Sequence, residues 1–165
     1  MTAYGELFRA LHDSGARFVV VGGVAVVMHG HARLTIDVDV VVDLEPASAR
    51  AAVAALMALG LRPMLPVDPM DFADPAVRGK WVEERNLVVF SMHDPDDPTR
   101  EVDLFAAYPK PFEELYSHAE VMTVDGVPVR VASIEHLIEL KRAAGRPRDL
   151  DDITALTELL EERDR

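Results

Sequence analysis

The sequence predicts an α+β fold in which helices pack against a mixed β-sheet and the chain closes with a pair of helices. Short apolar runs rich in β-branched residues, such as Arg17-Phe18-Val19-Val20-Val21, alternate with stretches whose apolar residues recur at helical spacing. Turn and helix-end signals fall between them, at Gly15, Gly60, Asp125-Gly126 and Gly145. The stretch on either side of Gly145 carries the helical period twice, which is the closing pair.

From the N-terminus, Leu7, Phe8 and Leu11 give residues Tyr4 to Asp13 a helical face, with Gly15 as the stop. Arg17 to Val21 reads as a buried strand running into Gly22-Gly23, and Val24 to Met28 as the start of a short helix. The next strand holds Ile36-Asp37-Val38-Asp39-Val40. Its alternation sends Asp37 and Asp39 to one face and Ile36, Val38, Val40 and Val42 into a core. Pro46 opens an alanine-rich helix that reaches Leu59 and is capped by Gly60.

Residues 61–75, punctuated by Pro63, Pro66, Pro69 and Pro75, read as a loop. It either lies over a site or is a surface excursion whose Met64, Met70 and Phe72 tuck against the core. Leu87 to Ser91 and Arg100 to Phe105 form neighbouring strands across the turn-rich His93 to Pro98, which sets Asp103 beside the acidic strand. Asp125-Gly126 closes a hairpin between Val121 to Val124 and Pro128 to Val131. Ser133 then caps a helix to Ala144, and a last amphipathic helix from Asp149 to Glu162 turns Leu150, Ile153, Leu156, Leu159 and Leu160 inward.

The 165 residues fit one domain, with 17–105 as its core and 133–163 as the closing helices. An apolar fraction of 49% and a charged fraction of 28% are those of a globular protein, and no apolar run reaches the roughly 20 residues that span a bilayer. The first residues lack the basic and apolar regions of a signal peptide, so a cytoplasmic location is expected, without membrane partners. Zero cysteines leave oxygen and imidazole as the available metal ligands. A net charge of −12 argues against broad nucleic-acid binding, which needs clustered lysine and arginine.

Asp37 and Asp39 carry the chemistry. Like charges on one strand edge are unfavourable unless a cation compensates, and magnesium, a hard ion that takes carboxylate, water and phosphate oxygens, suits the pair. The strand, Gly22-Gly23 and helix before them form an arrangement that cradles phosphate, because glycine allows close backbone approach and a helix start offers unpaired N–H groups. Arg33 and Thr35, in the turn leading to the acidic strand, either reach phosphate oxygens or hold the turn. His29 and His31 lack a third spaced ligand for zinc. Trp81 is expected in the core.

The order of strand, Gly22-Gly23, helix and Asp37-x-Asp39, followed by Asp103 within Glu101-Val102-Asp103-Leu104-Phe105, resembles the nucleotidyltransferase superfamily related to DNA polymerase β. More narrowly, Gly22-Gly23-Val24-Ala25, His29-Gly30, Arg33, Thr35 and the stretch from Leu137 to Asp152 are similar to small AbiEii-like nucleotidyltransferases of toxin-antitoxin systems.

The resemblance implies a nucleotidyltransferase fold and the transfer of a nucleoside monophosphate, with ATP among the possible donors, to an RNA, protein or small-molecule hydroxyl. It implies two Mg2+ ions about 3.5 to 4 Å apart, ligated by Asp37 and Asp39 with Asp103 completing the acceptor side. Gly22 and Gly23 would then hold the phosphates and Lys141 would contact one of them. Three carboxylates and two such ions leave a charge of about +1, so triphosphate binding should need metal. Asp149 and Asp152 either position Lys141 or Arg146 or act as caps, the latter being favoured for Asp149. A cognate antitoxin is the implied protein partner. The competing reading is a non-catalytic nucleotide-binding module that acts through a partner protein.

Overall fold

The computed structural model describes residues 1–165. Seven strands form one mixed sheet: β1 (Phe18–Val21), β2 (Val38–Val42), β3 (Arg62–Pro63), β4 (Val89–Asp94), β5 (Asp97–Phe105), β6 (Glu120–Val124) and β7 (Val127–Val131). Their order across the sheet is β3-β4-β5-β2-β1-β7-β6. Around β2, the centre of the sheet, β1 runs antiparallel and β5 parallel. Central strands are buried on both sides, which is why β1 is valine and phenylalanine throughout and every residue of it is buried.

Seven helices flank the sheet: α1 (Ala3–Asp13), α2 (Gly22–Met28), α3 (Pro46–Ala58), α4 (Pro75–Arg85), α5 (Phe112–His118), α6 (Ile134–Ala144) and α7 (Pro147–Arg163). Side-chain caps start most of the longer ones: Thr2 Oγ1 accepts from Gly5 N at 3.1 Å and Ser133 Oγ from His136 N at 3.2 Å. Helix α6 ends at Gly145 in the left-handed region, φ 64°, and α7 begins two residues later, so the chain turns sharply and the two helices pack against each other. A single cluster of 37 buried apolar residues joins both faces of the sheet. No helix is long and apolar enough to cross a membrane.

The expected helices, the β1 and β2 region, the β4–β5 pair and the β6–β7 hairpin are all present, and the α+β architecture with its closing helical pair is as expected. Two expectations need correction. Ile36 does not face the core; it is half exposed, because β2 starts only at Val38. Residues 61–75 do not lie over the acidic strand. They form the short edge strand β3 and a 3-10 turn, Pro69–Ala73, that packs on α3. Phe72 there is fully buried, stacked 5.4 Å from Phe90, with Trp81 of α4 stacked 5.3 Å away on the same ring. Helix α4 is an addition to the expected set. Its N-cap is Asp74 and Pro75 occupies its first turn, so the proline starts a helix and does not break one.

Candidate active site

The site is built where β2 and β5 run side by side. Their register pairs Val38 with Val102, Asp39 with Asp103 and Val40 with Leu104. Alternation buries Val38, Val40, Val102 and Leu104 and turns Asp39 and Asp103 together to the opposite face. Ser91 of β4, opposite Asp103 in the register, donates to Asp103 Oδ1 at 2.5 Å. Asp37 lies just before β2. Its carboxylate joins those of Asp103 and Glu101 in a group whose ligand oxygens all lie within 4.8 Å of one another.

Gly22 closes this array from the β1 side. Its φ is +66°, a conformation that side chains disfavour, and a Cβ placed there would fall on the Asp39 carboxylate. A Cβ on Gly23 would meet Thr35 Oγ1 at 2.7 Å. The glycine pair thus lets the chain pass directly against the acidic face and the turn that precedes it. Tyr4 holds that turn, donating to the Thr35 carbonyl at 3.1 Å.

Crowding perturbs these acids in one direction. Burial, then the neighbouring Asp103 and Asp37, pushes the Asp39 carboxyl up to about 7 against a weaker pull from Arg146 and Lys141. Burial raises Asp103 as well, with the Ser91 hydrogen bond opposing, and Glu101 rises through burial and its proximity to Asp37 and Asp103. Tyr108, buried beside Asp39, has its phenol raised by the same burial and by that charge.

A cleft of about 700 Å³ opens over this face, and Gly22, Gly23, Arg33, Thr35, Asp37, Asp39, Asp103 and Lys141 all line it. Every site residue expected from the sequence is therefore brought to one place. The cations come with partners. Lys141 is buried, with Nζ 2.7 Å from Asp152 and 3.5 Å from Asp149. Arg33 is bound to the same Asp152 carboxylate. Burial opposes the ionised form of Asp149, but hydrogen bonds from the Arg146 side chain and backbone outweigh it and hold the carboxyl below its usual range. Asp149 is a capping residue of α7, as favoured from the sequence, and it also faces Lys141. Asp152 links α7 to α6 and to the turn before β2. His29 is buried, with Nε2 2.8 Å from the Ala132 carbonyl and Nδ1 3.3 Å from Arg163.

Sequence reasoning passed over Glu101, Ser91 and Tyr108. Glu101 was legible, since it lies two residues before Asp103 on the same strand face. Ser91 and Tyr108 carry no local signal, because only strand pairing brings Ser91 to Asp103 and only the β5–α5 connection brings Tyr108 to the cleft.

No family model matches the chain, and no curated protein matches it. Solved structures do. A crystal structure of ANT(2'')-Ia in complex with adenylyl-2''-tobramycin superposes with TM-score 0.61 at 19% identity, covering 94% of this chain and 86% of that one. The lincosamide antibiotic adenylyltransferase LnuA, lincomycin-bound, gives 0.61 at 15% identity, covering 93% and 96%. An antigenic nucleotidyltransferase-like protein from Paracoccidioides brasiliensis gives 0.60 at 16%, covering 94% and 74%. The fold is that of the nucleotidyltransferases.

The nucleotidyltransferase fold implies divalent metal, and the donor set here is suited to it. Every candidate ligand is a carboxylate oxygen, the set preferred by hard cations such as Mg2+. Asp37, Asp39, Glu101 and Asp103 have no ion-pair partner, whereas Asp43 and Asp94 have one each and Asp149 and Asp152 two each.

Proposed function

We propose that the protein is a magnesium-dependent nucleotidyltransferase that moves a nucleoside monophosphate from a nucleoside triphosphate to a hydroxyl acceptor. The observation that carries this reading is the convergence of unpaired carboxylates from β2 and β5 against the glycine pair that follows β1. Bound Mg2+ would supply charge neutralisation for the triphosphate and for the oxygens that enter and leave at the α-phosphorus.

The chain's own residues divide the remaining work. Asp37, Asp39 and Asp103 hold the cations. Gly22 and Gly23, which line the cleft, present backbone to the phosphates. Arg33 and Lys141 are phosphate contacts kept in place by Asp152. In the reaction the acceptor oxygen bonds to the α-phosphorus, the bond to the β-phosphate oxygen breaks, and pyrophosphate leaves. The acceptor proton passes to a cleft carboxylate or to solvent.

A small hydroxylated molecule is the acceptor we favour. Two of the structural neighbours are described with antibiotics, and a net charge of −12 is a poor match for a polyanionic acceptor. The resemblance to AbiEii-like chains also supports a role as the toxin of a toxin-antitoxin pair, which growth arrest on expression of wild type but not of Asp37→Asn would test.

Incubation with α-labelled nucleoside triphosphates, Mg2+ and cell extract tests transfer itself. Label should move into a small-molecule fraction with wild type and stay in nucleotide with Asp37→Asn. Label in RNA or protein would replace the acceptor assignment. No transfer by a protein that binds nucleotide would favour the non-catalytic module.

A further inference from the structure

The strand register sets up more than the expected three carboxylates. Asp39 pairs with Asp103 and Val38 with Val102, so one more step sets Asp37 alongside Glu101. Two rows result. Asp39 and Asp103 form an inner row against Gly22, and Asp37 and Glu101 form an outer row two residues earlier on each chain segment. Ligand oxygens of Asp37, Glu101 and Asp103 lie within 4.8 Å of one another, the spacing at which one cation can be held by all three. Glu101 is only half-buried, and no lysine or arginine is bonded to it, although the strand edge places it among other acids. Its neighbour across the hairpin is His93 of β4.

We propose that Glu101 is a fourth carboxylate of the metal centre, joining Asp37 and Asp103 around an outer cation while Asp39 belongs to the inner one. The inference rests on the reading of the cleft as a metal site and adds a ligand outside the Asp-x-Asp and third-aspartate pattern. Ligand charge count sets divalent affinity in oxygen sites, so the number of carboxylates fixes how tightly the outer ion is held.

Mn2+ binding followed by the electron paramagnetic resonance signal of the unbound ion tests this without turnover. Wild type, Glu101→Gln, Glu101→Asp and Asp39→Asn would be titrated alone and with a non-hydrolysable nucleoside triphosphate analogue. Glu101→Gln should weaken one Mn2+ site by about tenfold or more and leave the other unchanged, and Glu101→Asp should recover part of the loss. Asp39→Asn should weaken the other site. Glu101→Gln is isosteric and removes like-charge repulsion, so its thermal midpoint without metal should equal or exceed that of wild type.

Mn2+ isotherms that coincide for Glu101→Gln and wild type would overturn the proposal and leave Glu101 as a partner of His93. Wild type that binds no Mn2+ in either condition would overturn it together with the metal reading. A weakened site in Glu101→Gln alongside a wild type that transfers no nucleotide would keep the ligand assignment and remove the proposed reaction.

Discussion

Asp39→Asn separates the cost of the acidic array from its use. In the metal-free protein the Asp39 carboxyl is raised from its ordinary 3.8 to about 7 by burial and by Asp103 and Asp37. A raised acid opposes folding only where it is ionised in the unfolded chain. The penalty is absent below about pH 4, grows between about 4 and 7, and is complete above about 7. Three pH units at about 1.4 kcal/mol each set its ceiling on the order of 4 kcal/mol, and proton sharing with Asp103 lowers what is realised.

Asparagine keeps the shape and removes the charge. Urea unfolding in EDTA, followed by circular dichroism, should therefore find Asp39→Asn more stable than wild type at pH 8, by roughly 2 to 4 kcal/mol, and nearly equal to it at pH 4. Mg2+ at ten times its Kd should narrow that difference by about 1.4 kcal/mol, because an ion that binds only the folded state stabilises wild type by that amount and the variant loses the contribution. A variant less stable than wild type at pH 8 in EDTA, or a difference independent of pH, would refute the reasoning.

Gly22→Ala must adopt φ +66° and place its Cβ on the Asp39 carboxylate, so it should lose about 1 to 2 kcal/mol of stability and most of its metal-dependent nucleotide binding; denaturant midpoints and calorimetry read both. Asp152→Asn leaves buried Lys141 without its nearer carboxylate and releases Arg33, so unfolding should cost about 3 kcal/mol less and nucleotide affinity should fall with it. Trp81→Ala removes a buried ring stacked on Phe90 at a distance from the cleft. It should cost about 3 to 5 kcal/mol in urea unfolding while nucleotide affinity of the folded protein stays unchanged.

Much of this architecture was legible because its signals are local. Valine runs identify β1 and β2, Gly145 and Ser133 mark the ends of α6, and Asp125-Gly126 marks the β6–β7 turn. The placement of Asp103 beside the acidic strand was expected from the turn-rich 93–98 segment and from the family resemblance, and the β2–β5 register bears it out. Helix α4 was not legible because Pro75 and Gly79 both read as breakers and only Arg78 and Trp81 of its residues are buried, too narrow a stripe to give a period. Helix α5 has seven residues and a single buried one, Leu115.

In the site, residue identity pointed to the carboxylates and glycines, but partners did not follow from it. Asp152 neutralising both Lys141 and Arg33 depends on how α6, α7 and the 31–37 turn meet, and the chain separates Arg33 from Asp152 by 119 positions.

Crystals grown with Mn2+ and a non-hydrolysable nucleoside triphosphate test the central claim most directly, through the anomalous scattering of the metal. The account predicts two anomalous peaks between β2 and β5, ligated by Asp37, Asp39, Asp103 and Glu101, with phosphates against Gly22 and Gly23. Nucleotide bound elsewhere, or a cleft whose carboxylates hold no metal while nucleotide is present, would contradict it.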